Sequence, residues 1–248
     1  MGGSGLIHRR QFLKLCTSAL ACLGGARAAL PAEGAQPHSY ARVLLVDPAG
    51  KPLSPEGLRV DEAYVFHYPF RSTPCFLIDL GESARKGLSL ETEAGEPYPS
   101  PGGVGPRGSV VAFSAICAHR MSYPTATVSF IDYRHREQDF TDSAGTTTRR
   151  SRVIYCCSER SVYDPLAGGR VLGGPAPQPL AAILLEYDPE GPALYATGTL
   201  GGEMFRRFFR EFGFRLALDR RSEDYAEPVE GTTTVVPIEE YSRNRISC

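Results

Sequence analysis

The chain has 248 residues, 42% of them hydrophobic, with 27 basic against 28 acidic side chains and a formal charge of −1. That length and apolar content suffice for one buried core with appendages. Four of the basic residues, Arg9, Arg10, Lys14 and Arg27, precede the first acid at Glu33; setting them aside leaves 23 basic residues against 28 acidic, a net −5, which excludes nonspecific nucleic-acid binding through a basic surface.

The N-terminal run His8-Arg9-Arg10-Gln11-Phe12-Leu13-Lys14 leads into an apolar stretch from Leu15 to Ala26. This is well short of the roughly 20 residues a membrane-spanning helix needs. Ala26-Arg27-Ala28 reads as a small-residue cleavage site. The segment resembles a twin-arginine export signal, which implies folding before export to the periplasm and removal after Ala28. Retention as an anchor and lipidation at Cys22 are the alternatives.

Residues 29 to about 40, rich in Ala, Pro and Gly, are expected to form a linker. Val43–Val46 is a strand ending in the turn Asp47-Pro48-Ala49-Gly50, and Ala63–His67 and Cys75–Leu80 are further strands. Cys75, in an apolar run, is expected in the core. The stretch Gly95–Gly108, with four prolines, is expected to lack regular structure. It leads into the buried-strand pattern Ser109–Ile116, which delivers Cys117 at its end. Thr125–Tyr133 alternates like a strand, and the polar Arg134–Arg150 is expected to form an inserted hairpin. Asp164–Gly169 is a turn, Gly174–Leu180 is a rigid proline-rich segment, and Ala181–Tyr187 with Ala193–Gly198 forms a hairpin. Phe205, Phe208, Phe209 and Phe212 fall at i, i+3, i+4 and i+7, the spacing of an amphipathic helix. Its aromatic stripe is expected to pack on the domain's own sheet, with docking to a partner or membrane surface as the alternative. Thr232–Cys248, polar and without period, is expected to be an extended arm lying on another protein.

Two short stretches concentrate the soft ligands: Cys117-Ala118-His119, and Cys156 through Asp164. Five cysteines follow the N-terminal segment, an odd count at irregular spacing that points to metal or redox use rather than a disulfide framework. The pair resembles the cluster-binding loops of Rieske iron–sulfur proteins, in which Cys-x-His and Cys-x-x-His supply two thiolates and two imidazoles to a [2Fe-2S] cluster. The resemblance covers about residues 60 to 200. It implies an all-β, Rieske-type domain of stacked antiparallel sheets with a small cluster-binding subdomain, here followed by the amphipathic helix and an extended tail.

Residue by residue, the resemblance puts Cys117, His119 and Cys156 at three ligand positions and Glu159 at the fourth, where the family carries histidine. It puts Ser161 and Tyr163 at the hydroxyl-donor positions, toward a bridging sulfide and a ligand cysteine sulfur respectively. Ser122 and Ser158 stand where respiratory members carry a disulfide joining the two loops. Gly174–Leu180 matches the proline loop that covers the cluster. The metal ligands are therefore expected to be Cys117, His119, Cys156 and Glu159, with Cys157 and then His135 as alternatives for the fourth; His8, His38 and His67 are expected to be ordinary core or surface residues.

The expected organisation is a signal over 1–28, a linker and first strand over 29–59, the Rieske-like domain over 60–200 with an insertion at about 123–151, and a helix and tail over 201–248. The implied function is single-electron transfer in a periplasmic or membrane-associated oxidoreductase or respiratory chain. The implied partner is a cytochrome or membrane oxidoreductase complex, through which the chain could associate peripherally with a membrane. A cluster-less docking subunit and a mononuclear zinc domain are the alternatives. No Ser/His/Asp grouping stands out, and Gly102-Gly103-Val104-Gly105 lacks the strand-to-helix setting of a dinucleotide loop. The chain thus reads as an electron carrier or oxidoreductase subunit more than as an independent enzyme.

Overall fold

A computed structural model describes residues 35–248, so the expectations for the export signal, for Cys16 and Cys22 and for the start of the linker lie outside the described residues. The strands are β1 (His38–Val46), β2 (Ala63–His67), β3 (Pro74–Asp79), β4 (Lys86–Glu91), β5 (Pro97–Pro101) and β6 (Val110–Ser114). Then come β7 (Val128–Ser129), β8 (Ile131–Arg134), β9 (Gln138–Thr141), β10 (Thr147–Arg150), β11 (Val153–Cys156) and β12 (Ser161–Asp164). The last are β13 (Arg170–Gly173), β14 (Ala182–Asp188), β15 (Ala193–Leu200), β16 (Thr232–Thr234), β17 (Val236–Pro237) and β18 (Asn244–Arg245), with one long helix, α1 (Phe205–Arg220), after β15. The fold is all-β, as expected.

Eight strands form the main sheet in the order β16-β1-β15-β14-β6-β3-β2-β17, and a smaller antiparallel sheet runs β13-β12-β11-β8. In the middle of the main sheet successive side chains point to opposite faces, and both faces are buried. Val65, Phe76, Ile78, Val111 and Phe113 pack against Ile131, Tyr133, Ile154 and Tyr163 of the small sheet. Their neighbours Tyr64, Phe66, Cys75, Leu77, Val110 and Ala112 pack against Val43, Leu45, Leu194 and Ala196, so the sheet curls over its own second face. Burial on both sides is why β2, β3 and β6 read as continuous apolar runs rather than alternating ones. Cys75 is fully buried in this core, as expected.

The C-terminal tail departs from the expectation. Its strands pair with this chain's own sheets. β16 pairs in parallel with β1 at one edge of the main sheet and β17 pairs antiparallel with β2 at the other, with buried Val235 between them. The backbone N–H of His67 donates to the Thr233 hydroxyl, which donates in turn to the His67 carbonyl. Two edges that would otherwise expose unpaired backbone groups are thereby covered. β18 then pairs with β7, beside the small sheet.

The proline-rich stretch is the second departure. Pro97, Tyr98, Pro99, Ser100 and Pro101 form β5, paired with β4. Tyr98 and Ser100 are buried while Pro97 and Pro99 face solvent, so the residues without N–H alternate with those that can pair. An edge ribbon tolerates that pattern; a central strand would not.

Helix α1 matches the expected aromatic stripe, which faces the domain. Phe205 and Phe208 are buried, and Phe208 packs edge-on against Tyr123 with ring centroids 4.8 Å apart. Ile116, Met121, Met204 and Leu216 complete the cluster. Because Ile116 and Met121 flank Cys117 and His119, the stripe anchors the first candidate ligand loop. Phe208→Ala is expected to cost about 3–5 kcal/mol by opening this cluster, measured by chemical denaturation, with loosening of the loop seen as faster amide exchange at Met121. No helix among the described residues is long and apolar enough to cross a membrane.

Candidate functional site

The first loop leaves β6 and is closed by two backbone hydrogen bonds, Cys117 N–H to the Ser122 carbonyl and Met121 N–H to the Cys117 carbonyl, each 2.9 Å. The second loop is the four-residue turn of the β11–β12 hairpin, whose last paired residues are Cys156 and Ser161. It is fixed from three sides. The Cys157 N–H donates to the Phe130 carbonyl at 2.7 Å. Arg150, from the β9–β10 hairpin, holds the buried Asp164 carboxylate at 2.7 Å. Gly174, at φ +82°, lets the proline-rich segment run directly against Arg160 and Ser161. A Cβ at Gly174 would lie 2.6 Å from the Ser161 Cα. Gly174→Ala is therefore expected to destabilise by about 1–3 kcal/mol and to displace the second loop, read from a lowered melting temperature and shifted amide resonances at Arg160 and Ser161.

The two loops meet. Cys117 and Cys156 are buried and neither is in a disulfide. The two thiols interact across the site, which lowers the Cys117 pKa to about 6 and raises that of Cys156. The first proton leaves the pair easily because the remaining thiol stabilises the thiolate; the second is held by burial and by the charge already there. The Tyr163 hydroxyl lies 3.2 Å from the Cys117 sulfur and accepts from the Ala118 N–H at 3.2 Å, which leaves its own proton for the sulfur. The backbone N–H groups of His119 and Arg120 add to the stabilisation of the Cys117 thiolate. Burial and the neighbouring sulfur hold the Tyr163 pKa well above its usual value, so it stays a donor. The Ser122 hydroxyl donates to the Ser158 hydroxyl across the mouth of the site, 2.7 Å between oxygens, at the two positions where the resemblance implied a missing disulfide.

Two buried polar atoms at this site have no hydrogen-bond partner among the described residues: Nδ1 of His119 and the hydroxyl oxygen of Ser161. An unsatisfied buried polar atom costs free energy unless something binds it. Glu159 is placed differently from the other expected ligands. It is exposed, its carboxylate 4.0 Å from the Arg120 guanidinium. Among the described residues no three His, Cys, Asp or Glu side chains converge as a ready metal-binding group. The donor set therefore fits an iron–sulfur group through two thiols, one free imidazole nitrogen and two hydroxyls, and departs from it at the fourth ligand.

No protein-family model matches the chain. Among solved structures it is similar to the soluble domain of the Rieske protein II from Sulfolobus acidocaldarius, at 24% identity over 66% of this chain and 82% of that one, with a TM-score of 0.41.

Both alternatives for the fourth ligand are corrected by the geometry. Cys157 is disulfide-bonded to Cys248, with Cα atoms 5.7 Å apart, and has no free thiol. The odd cysteine count concealed this pair, because Cys248 reaches Cys157 only through the path of the tail. His135 is exposed past the end of β8, lining a cavity with Asp61, Glu62 and Arg245 rather than meeting the thiols.

Proposed function

We propose that this chain is an exported Rieske-type electron-transfer protein whose [2Fe-2S] cluster is held by Cys117, Cys156 and His119, with Glu159 as the fourth ligand. The observation that carries the reading is the meeting of two buried free thiols with an unpartnered imidazole nitrogen, on loops joined by the Ser122–Ser158 hydrogen bond. When bound, such a cluster accepts and releases one electron, and ligation by imidazole raises its potential above that of all-thiolate clusters. The chain's own groups suit that chemistry. Tyr163 and the His119 and Arg120 N–H groups stabilise negative charge on the Cys117 sulfur, and Ser161 offers a second hydroxyl from a fully buried position. The two thiols are buried while the Ser122–Ser158 edge is exposed, which gives an electron a short route to a docked cytochrome or membrane oxidoreductase. Export by the twin-arginine route to the periplasm agrees with the Cys157–Cys248 disulfide, a bond that persists in oxidising compartments.

Electron paramagnetic resonance of the dithionite-reduced protein, together with iron analysis after purification without chelators, tests the reading. A rhombic signal with two irons per chain is expected. The exposed Glu159 favours a second reading, a cluster-less docking subunit. A silent protein without iron, even after anaerobic reconstitution with iron and sulfide, would decide for that reading.

A further inference from the structure

A second polar site lies outside the thiol–imidazole centre. Between α1, the chain after the first loop and the end of β2 is a cavity of about 300 Å³. Its polar lining comes from His67, Tyr123, Tyr241, Arg215, Arg220 and Asp219, and its apolar wall from Pro74, Pro124 and Leu216.

These groups are poorly satisfied by one another. The Tyr123 hydroxyl is buried and has no hydrogen-bond partner among the described residues. It lies within electrostatic reach of Arg215 and Asp219, and Tyr241 within reach of both Tyr123 and Arg220, so the side-chain ends converge on one volume. Nε2 of His67 is 3.2 Å from the Tyr241 hydroxyl, and burial with the nearby Arg220 charge pushes its pKa down to about 4, so the ring is neutral at ordinary pH. Asp219 offsets only one of the two guanidinium charges, through a long, exposed 3.7 Å contact with Arg215. Arg220 donates one bond to the Arg71 carbonyl and keeps its other N–H donors. The sum is a concave site with excess positive charge, a spare phenolic donor and a partly apolar wall.

We propose that this cavity binds a small oxyanion, with Arg215 and Arg220 supplying the charge and the Tyr123 and Tyr241 hydroxyls the hydrogen bonds. The ligand chemistry is that of two or more oxygens sharing a negative charge. The apolar wall suits the carbon body of an organic acid; sulfate or phosphate would use the polar side alone.

Isothermal titration calorimetry of the full chain with sodium malonate, and separately with sodium sulfate at constant ionic strength, tests this. Saturable binding is expected, weakened about tenfold or more in Tyr123→Phe and in Arg215→Gln, and unchanged in Arg210→Gln, an exposed residue of α1 outside the cavity. Tyr123→Phe keeps the ring that packs on Phe208 and Phe212, and the hydroxyl it removes has no partner among the described residues. Its ligand-free melting temperature is therefore expected not to fall, which separates lost binding from lost folding. Preference for malonate would identify an organic acid, and preference for sulfate an inorganic oxyanion. Absence of binding by both salts, or binding indifferent to both variants, would overturn the proposal.

Discussion

Cys157→Ser is expected to lower the stability of the folded chain by about 4–5 kcal/mol, the loop-closure effect of a disulfide that spans 91 positions. The same loss is expected for Cys248→Ser and for the double variant, because removing either partner removes the bond. Guanidinium denaturation of the three variants checks this; a double variant that loses twice as much as either single one would show that the two cysteines act separately. The effect should reach the candidate site. The tail carries β18 against β7, the Arg245 guanidinium against the buried Asp132 carboxylate at 2.7 Å, and the Ile246 N–H to the Ser129 carbonyl at 2.9 Å. Cys157 itself adjoins Cys156. The disulfide thus ties the second loop covalently to the seam that closes the main sheet, whereas the two loops are tied to each other by non-covalent contacts such as the Ser122–Ser158 hydrogen bond. Reductant should accordingly speed amide exchange at Cys156 and Ser158 in the wild-type chain and leave the serine variants unaffected.

The legible and illegible parts of this fold differ in how local their causes are. β2, β3 and β6 are unbroken apolar runs because both faces of the sheet are covered, and α1 carries its aromatic period within eight residues, so each could be read from its own segment. The tail could not. Its strands are two or three residues long, and what fixes them is the pair of sheet edges they happen to cover, a property of residues nearly two hundred positions away. The Cys157–Cys248 pairing was hidden for the same reason. β5 was misread because prolines were counted without regard to alternation, although Pro97, Pro99 and Pro101 all occupy the same phase of the strand. At the candidate site, the resemblance expects Cys117, Cys156, Tyr163 and Ser161 in one place; Cys117, Cys156 and Tyr163 do lie against one another, since a short strand or hairpin delivers each of them. It said nothing of Glu159's exposure or of its contact with Arg120, which depend on rotamers at the tip of a turn.

Cys117→Ala and Cys156→Ala should each abolish iron binding and visible absorbance, since each removes one of the two buried thiols on which the proposed site is built. A variant that kept the full spectrum would refute the ligand assignment. Glu159 calls for a finer test, because a carboxylate can act on a redox centre either as a ligand or as a nearby charge. Glu159→His replaces an anionic oxygen donor with a neutral imidazole, and should raise the midpoint potential and shift the resonance spectrum toward that of a two-histidine centre. Glu159→Gln removes the charge without supplying an imidazole. If the carboxylate acts only through space, the two variants should raise the potential equally and leave the spectrum alone; if it is a ligand, only the histidine variant should retain a full complement of iron. Losing the contact with Arg120 does not confuse the comparison, since both variants lose it and an exposed pair at 4.0 Å contributes little to stability. An unchanged potential and spectrum in both would remove Glu159 from the ligand set and leave the fourth position to another donor.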